Sequence, residues 1–310
     1  GRIPSRTALG ASGPGRSAPA TGGGTRHDLE PHLREVAVGG EGLLQCVDPA
    51  PALLRLGLQS AALYPDFVAA VERASGLRCG YRTEGTLLAA LHADHLADLD
   101  HLRRCQEAAG LRAERLTASE VRARDPFLSP RIVGGLSIPS DRQVDPRALV
   151  LALAAALGPG RLLQGRAREL RRSGDRVTGV VVQQASGEQS SIEARFVVRA
   201  AGTWSNEAVP GAPALPLRPV KGHVLRLTGT PRLQHVVRTP DVYLVPRIDG
   251  TLIVGATSED VGLDASVRAG AVMDLLRHAF AVLPAVAELA LDEVSVGFRP
   301  ALRDHLPAIG

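Results

Sequence analysis

The sequence has few of several residue types, and each shortage excludes a class of protein. Its three cysteines, Cys46, Cys79 and Cys105, lie far apart and form no Cys-x-x-Cys pair. This pattern argues against a disulfide framework or a clustered zinc site and favours the reducing cytoplasm. There is also no long apolar run, and the N-terminal segment lacks the apolar stretch of a signal peptide. We therefore expect neither membrane insertion nor export.

Aromatic residues and lysine are scarce as well. Aromatics make up 3% of the chain, and Lys221 is the only lysine among 36 basic residues. The sequence pI is about 9.4, but the arginines are scattered among 32 acidic residues. No basic stripe interleaved with aromatics is present, so we do not predict a nucleic-acid partner.

Residues 1–50 are rich in Gly, Pro, Ser, Thr and Arg without helical or strand periodicity, and we predict that they are disordered or poorly packed. The stretch "GPGRSA" at 13–18 satisfies the G-x-G-x-x-A pattern of a dinucleotide loop. Such a loop needs a strand before it and a helix after it, and neither flank fits, so we interpret it as a coincidence. The chain also lacks a starting methionine, which suggests a fragment.

Beyond residue 50 the pattern predicts helices alternating with strands, which indicates an α/β or α+β fold. The clearest helix signal is Asp145 as N-cap, Pro146 in the first turn and Gly158 just past the end. Thr117 and Glu120 have capping-box spacing. The other predicted helices span 53–75, 94–109 and 266–283, and the predicted strands span 84–91, 176–183, 195–201, 222–227, 242–246, 251–257 and 293–298.

Residues 92–101, "HADHLADLDH", offer side chains of the types that bind metals. On a helix, however, the leucines share one face and the polar side chains do not converge, so a solvated helix face is favoured over a metal site. The residues concerned are His92, Asp94, His95, Asp98 and His101, with Leu96, Leu99 and Leu102 on the apolar face.

Four separated stretches are informative when they are taken together. They are "RFVVRAAGTWSN" at 195–206, "RPVKGHVLRL" at 218–227, "VYLVPRIDGTLIVGAT" at 242–257 and "VGFRPALRDHLPAIG" at 296–310. In this order they resemble the D-amino-acid oxidase family of FAD-dependent oxidoreductases, most closely its glycine oxidase branch, which is associated with thiamine biosynthesis. The resemblance runs from Leu53 to Gly310.

The resemblance implies an α/β, two-domain flavoprotein scaffold: an incomplete doubly wound FAD-binding domain and a substrate domain with a large mixed or antiparallel sheet. The family's N-terminal dinucleotide loop and C-terminal flavin segment are not found, so the chain is expected to be partial and to bind FAD weakly on its own. By this division, residues 51–80, 137–212 and 299–310 belong to the FAD domain, and residues 81–136 and 213–298 belong to the substrate domain.

Site residues are also implied by position within the resembling stretches. Arg299 matches the arginine that holds the substrate carboxylate, and Tyr243 matches a tyrosine that reaches the same group. Ala167, Ala201, Gly202 and Trp204 match positions beside FAD, and no acid–base side chain is implied because the flavin carries the chemistry. From the residues alone, Arg299 could equally be a structural ion-pair partner and Tyr243 a packed strand aromatic.

The implied reaction is FAD-dependent oxidative deamination of glycine or a similar small amine or amino acid, with oxygen as the electron acceptor. The products are an imine or glyoxylate, ammonia and hydrogen peroxide, and the expected setting is thiamine thiazole biosynthesis in the cytoplasm. A homo-oligomer is left open. The alternative is a catalytically inactive, truncated remnant that serves as a binding scaffold.

Overall fold

The computed structural model describes residues 51–208, 212–230, 232–304 and 306–309. The predictions for residues 1–50, including the glycine-rich loop at 13–18, lie outside the described residues. The helices are α1 (Pro51–Ser75), α2 (Ala93–Ala108), α3 (Ala118–Arg124), α4 (Pro146–Leu157), α5 (Ser205–Ala208) and α6 (Ala269–Val282). The strands are β1 (Thr86–Ala90), β2 (Glu114–Thr117), β3 (Gly134–Ile138), β4 (Arg166–Ser173), β5 (Arg176–Gln183), β6 (Gln189–Glu193), β7 (Arg218–Thr228), β8 (Val236–Arg238), β9 (Tyr243–Pro246), β10 (Leu252–Gly255) and β11 (Ala290–Ala301).

Helix α4 begins and ends where its sequence signals predict. The Asp145 carboxylate accepts hydrogen bonds from the backbone amides of Arg147 and Ala148, at 2.9 and 3.2 Å. These amides have no acceptor within the helix, so the N-cap removes the cost of leaving them unpaired. The helix ends at Gly158, whose φ of 76° suits glycine.

Helices α2 and α3 also follow their local signals. Thr117 and Glu120 form the predicted capping box at the start of α3, with each side chain accepting from the other residue's backbone amide. In α2, Asp98 and His101 are exposed while Leu102 is buried, which confirms the solvated face. Within the described ranges, no three His, Cys, Asp or Glu residues are grouped to hold a metal ion. No helix of these ranges is long and apolar enough to cross a membrane.

The strands form two sheets. The larger has eight strands in the order β11-β7-β10-β9-β8-β1-β3-β2, with β1 and β8 parallel and the other neighbours antiparallel. The smaller is the antiparallel sheet β4-β5-β6. The predicted α/β fold with a large mixed sheet is confirmed.

One face of the large sheet packs against α6. Leu225, Leu244 and Val254, on β7, β9 and β10, are buried in one hydrophobic cluster with Leu275 and Ala279 of the helix. Successive residues of a strand point to opposite faces, so the residues between these positions face away from α6. That second face carries the candidate site.

Two strand predictions are wrong. Residues 195–201 form no strand, because no described segment pairs with them and a strand needs a hydrogen-bonded neighbour; Phe196 and Val198 are 81% and 86% exposed. The strand predicted over 293–298 is too short, because β11 continues through Pro300 to Ala301. Pro300 lies opposite Pro219 on an edge strand, where the missing amide interrupts no central ladder.

Candidate active site

Arg299 and Tyr243 project from the same face of the large sheet. Tyr243 pairs with Gly255 of β10, and Gly255 pairs with Val224 of β7. Val220 lies four residues before Val224 and pairs with Arg299 of β11. Directly opposed residues share a face, as do residues separated by an even number of positions. The register therefore brings together the two residues that the sequence resemblance assigns to the substrate.

Two glycines allow both side chains to lie flat over the sheet. A Cβ added at Gly222 would lie 2.9 and 3.0 Å from Nη1 and Nη2 of Arg299, and one at Gly255 would overlap the ring of Tyr243. Adjacent strands are about 4.8 Å apart and a two-residue step is about 6.6 Å, so these glycines lie roughly 8 Å from each other. The guanidinium and the phenol ring are therefore separated by about the size of a small substrate.

The Arg299 guanidinium has few partners for a half-buried charge. Nη1 donates to the backbone carbonyl of Thr257 at 3.1 Å, while Nε is buried and has no acceptor among the described residues. None of the ion pairs in the described part of the chain involves Arg299. A desolvated guanidinium without a counter-ion is costly, and a bound carboxylate would offset that cost.

Tyr243 is 8% exposed and lies beside a second cation. Arg238 is its ladder partner on β8, and the Arg238 Cζ atom lies 5.8 Å from the centroid of the Tyr243 ring. Such a cation is attracted to the negative face of the ring and restrains the ring's position. The electrostatic character of this face near Tyr243 is therefore positive, which favours an anionic group on the ligand.

The acidic group on this face of β11 already has partners. Glu293 accepts two hydrogen bonds from Arg147 of α4, at 2.7 and 2.8 Å, and one from Ser295 at 2.6 Å. The bonds from Arg147 lower the pKa of Glu293 to about 2, and the same pair raises the pKa of Arg147. Glu293 therefore ties α4 to the sheet and is committed to Arg147.

The residues predicted to contact the cofactor lie in two places. Ala201 precedes a short 3₁₀ turn, Gly202–Trp204, and the Trp204 ring packs edge-on against Phe298, with centroids 6.1 Å apart. The turn therefore contacts β11 one residue before Arg299, although Phe298 and Arg299 point to opposite faces of the strand. Ala167 lies in β4 of the small sheet, which contacts α5 directly after the turn.

The turn has features that suit a bound group. Gly202 has a φ of 55°, and a Cβ there would meet no atom within 4 Å among the described residues. The hydroxyl of Thr203 is buried and has no hydrogen-bond partner in the described ranges. An open backbone beside an unsatisfied buried hydroxyl fits a ligand with a polar group.

Several residues of the site escaped the sequence reasoning. Gly222, Gly255, Arg238 and Thr257 all contact Arg299 or Tyr243. The glycines carry a usable signal, because a glycine inside a buried strand indicates close approach of another group. Thr257 carries no such sequence signal, because it contacts Arg299 through a backbone carbonyl, which every residue has.

With the geometry in place, comparison with known proteins identifies the class. The family described as DAO, FAD dependent oxidoreductase, matches residues 9–310. The chain therefore belongs to this family of FAD-dependent oxidoreductases, and its cofactor is FAD. The match begins well before Leu53, so the family resemblance also covers most of the first 50 residues.

Individual relatives within the family are more specific than the family match. The chain is 32% identical over 292 residues to the bifunctional protein ThiO/ThiG of Synechocystis sp., which covers 91% of the chain and 40% of that protein. It is 31% identical over 265 residues to the glycine oxidase of Geobacillus kaustophilus, covering 83% of the chain and 69% of the enzyme. The crystal structure of a glycine oxidase from the same organism superposes with a TM-score of 0.77 at 28% identity, covering 87% of this chain and 73% of that one. The chain thus spans about 40% of the length of the first ThiO/ThiG relatives.

Proposed function

We propose that this protein, with FAD bound, oxidises glycine or a similar small amine or amino acid to the imine, which hydrolyses to glyoxylate and ammonia. Oxygen is the final electron acceptor and is reduced to hydrogen peroxide. The observation that carries the proposal is the Arg299 guanidinium, half-buried over Gly222 and without a counter-ion among the described residues. Relatives named glycine oxidase and ThiO/ThiG support the choice of substrate class.

In this proposal, Arg299 binds the substrate carboxylate through its planar fork of N–H groups, and the Tyr243 hydroxyl donates to the same carboxylate. Two donors that approach from different strands fix the carboxylate and therefore the position of Cα. When bound, FAD supplies the two-electron oxidation at Cα. The chain's own contribution is orientation, and no side chain of the site is required to transfer a proton.

The proposal places FAD against the Gly202–Trp204 turn. The backbone of Ala201 and Gly202 would face the flavin, Trp204 would border it, and Ala167 would lie towards the adenine end. The division into an FAD domain (51–80, 137–212, 299–310) and a substrate domain (81–136, 213–298) is part of the same proposal. Its boundaries at 136/137 and 298/299 fall within β3 and β11, so the domains would share these strands.

We further propose a place in thiamine thiazole biosynthesis, in the cytoplasm, on the strength of the ThiO/ThiG relatives. The reaction that consumes the imine or glyoxylate would be a condensation with a nucleophile, because both products are electrophilic.

The test is a product balance on the FAD-loaded protein, whose flavin content is confirmed by absorbance bands at about 370 and 450 nm. With glycine and oxygen, hydrogen peroxide and ammonia should form in equal amounts, with glyoxylate as the carbon product. A protein that holds FAD but releases no peroxide with glycine or other small amines would refute the proposal and favour the inactive-scaffold alternative.

A further inference from the structure

The carbonyl that accepts a hydrogen bond from Arg299 belongs to a loop that is held in place from the α6 face of the sheet. Thr257 follows β10, and its carbonyl accepts from Arg299 Nη1 at 3.1 Å on the substrate side. Arg299 has no other hydrogen bond among the described residues, so the direction of this carbonyl determines where the guanidinium points. Whatever fixes Thr257 therefore also sets the geometry of the proposed carboxylate site.

The Thr257 side chain is fixed by two groups. Its hydroxyl oxygen accepts from the backbone amide of His223 at 2.9 Å and lies 3.0 Å from His223 Nδ1. The hydroxyl proton is directed to Glu259 Oε1, 3.0 Å away. Both lone pairs and the proton of the hydroxyl are therefore used, which leaves the side chain a single orientation.

The second ring nitrogen of His223 decides the tautomer. The backbone amide of Arg268 donates to Nε2 at 3.2 Å, so Nε2 is an acceptor and carries no proton. In neutral imidazole the proton must then be on Nδ1, where it faces Thr257 and Glu259 Oε1 at 3.0 Å. His223 is fully buried, and each of its polar atoms has a partner that matches this tautomer.

The loop is held by more than the side chain of His223. Lys221 exchanges two backbone hydrogen bonds with Glu259, both 2.9 Å, and its buried Nζ donates to the carbonyl of Ser266 at 2.7 Å. These contacts hold the loop against β7 by a separate route. The Thr257 amide also donates to the His223 carbonyl at 3.4 Å, a backbone contact that no side-chain substitution removes. The bonds to the Thr257 hydroxyl add to these contacts and restrict the direction of its carbonyl.

We propose that Thr257, locked by His223 and Glu259, is the positioning group for Arg299 and thereby for the substrate carboxylate. This inference rests on the proposed function, in which Arg299 binds that carboxylate. Thr257 and His223 act through Arg299, so they are positioning residues and not catalytic ones. His223 lies on the α6 face of the sheet, so the hydrogen bonds that orient Arg299 extend through the sheet to the face opposite the site. By orienting Arg299, this network favours amines that carry a carboxylate.

The experiment uses the FAD-loaded protein and the variants Thr257→Val and Thr257→Ser. Valine keeps the shape but removes the hydroxyl, and serine restores it. The matched control is Thr251→Val, because the Thr251 hydroxyl likewise accepts a hydrogen bond, from Arg226 at 3.3 Å, at the other end of β10; Thr251 is buried and Thr257 half-buried. Flavin content and melting temperature are recorded for each protein.

Binding is measured by calorimetric titration with glycolate, a carboxylate in which a hydroxyl replaces the amine. Thr257→Val should raise the Kd of glycolate and the KM of glycine about tenfold, with kcat changed less than about twofold, because uniform binding is lost. Glycinamide, which has no carboxylate, should be oxidised with an unchanged kcat/KM. Thr257→Ser should restore most of the affinity, and Thr251→Val should bind glycolate like the parent protein.

A second pair of variants tests the tautomer. His223→Asn places an amide donor at the Nδ1 position, whereas His223→Gln places its amide at the Nε2 position. The inference predicts a near-normal glycolate Kd for the first and a weakened one for the second, whatever their melting temperatures.

The outcomes separate the two proposals. If Thr257→Val lowers the melting temperature but leaves the glycolate Kd within twofold, or if Thr251→Val weakens glycolate equally, the positioning role is overturned. An Arg299→Lys control reports on the proposed function: unchanged glycolate binding there would show that Arg299 holds no carboxylate, and both proposals would fail. Weakened binding in Arg299→Lys with normal binding in Thr257→Val would overturn the positioning role alone.

Discussion

The glycine under Arg299 offers a test in which a single methyl group moves the guanidinium. In Gly222→Ala the new Cβ would lie 2.9 Å from Nη1, 3.0 Å from Nη2 and 3.0 Å from the Thr257 carbonyl oxygen. Contacts this short are not tolerated, so the guanidinium must lift by several tenths of an ångström. The backbone is not strained by alanine, because the φ of Gly222 is outside the left-handed region.

The expected cost combines two terms. Overpacking a tight site costs about 1–3 kcal/mol, and a misaligned charge-assisted hydrogen bond to a carboxylate loses a comparable amount. If the packing strain is relieved by moving Arg299, the loss is seen in catalysis and not in folding. We therefore expect kcat/KM for glycine to fall roughly tenfold to a hundredfold, with the melting temperature lowered by only a few degrees.

The assay is steady-state peroxide release by the FAD-loaded protein, with Gly270→Ala as control. Gly270 lies in α6, where a Cβ would meet no atom within 4 Å among the described residues, so alanine should leave kcat/KM unchanged and stabilise the helix slightly. A Gly222→Ala protein with kcat/KM within twofold of the parent would refute the close-approach argument.

Three further predictions concern other parts of the structure. Tyr243→Phe removes one neutral donor and should lower kcat/KM about fivefold to tenfold with unchanged flavin content; an unchanged rate would remove Tyr243 from the site. The pKa of Glu293 is lowered from 4.5 to about 2, so its stabilisation is fully present above pH 4.5 and lost as the pH falls towards 2. Between pH 4.5 and 2, the free energy of unfolding in urea should fall by roughly 1–3 kcal/mol more for the parent than for Glu293→Gln. If the two proteins lost unfolding free energy in parallel, the ion-pair account would be contradicted. Asp145→Ala should lower the free energy of unfolding by about 1 kcal/mol, because the α4 cap is lost. A decrease of less than about 0.3 kcal/mol in urea unfolding would contradict the capping role.

The features that the sequence predicts well are those determined by a few neighbouring residues. Asp145, Pro146 and Gly158 define α4, and Thr117 with Glu120 defines the start of α3, because caps and boxes act within one helical turn. Strand 195–201 fails for the opposite reason. Its apolar composition is typical of a strand, but a strand also needs a partner, which local pattern does not contain.

The candidate active site depends on contacts between distant residues. Arg299 and Tyr243 lie on the same face of the sheet only because β7 lies between β11 and β10. No local sequence pattern specifies this strand order. Family resemblance supplied the identities of Arg299 and Tyr243, but not the glycines beneath them or the carbonyl of Thr257. The hydrogen bonds of His223 were likewise unpredictable, since they join residues 34 to 45 positions apart.

The central claim is that Arg299 binds the substrate carboxylate, and the most direct measurement is kcat/KM for glycine in the FAD-loaded Arg299→Lys protein. Lysine keeps the charge but loses the two-point fork, which is worth about 2–4 kcal/mol in a desolvated site. The account predicts a fall of roughly thirtyfold to a thousandfold with unchanged flavin content. A value within twofold of the parent, accompanied by a lower melting temperature, would contradict it and make Arg299 a structural residue.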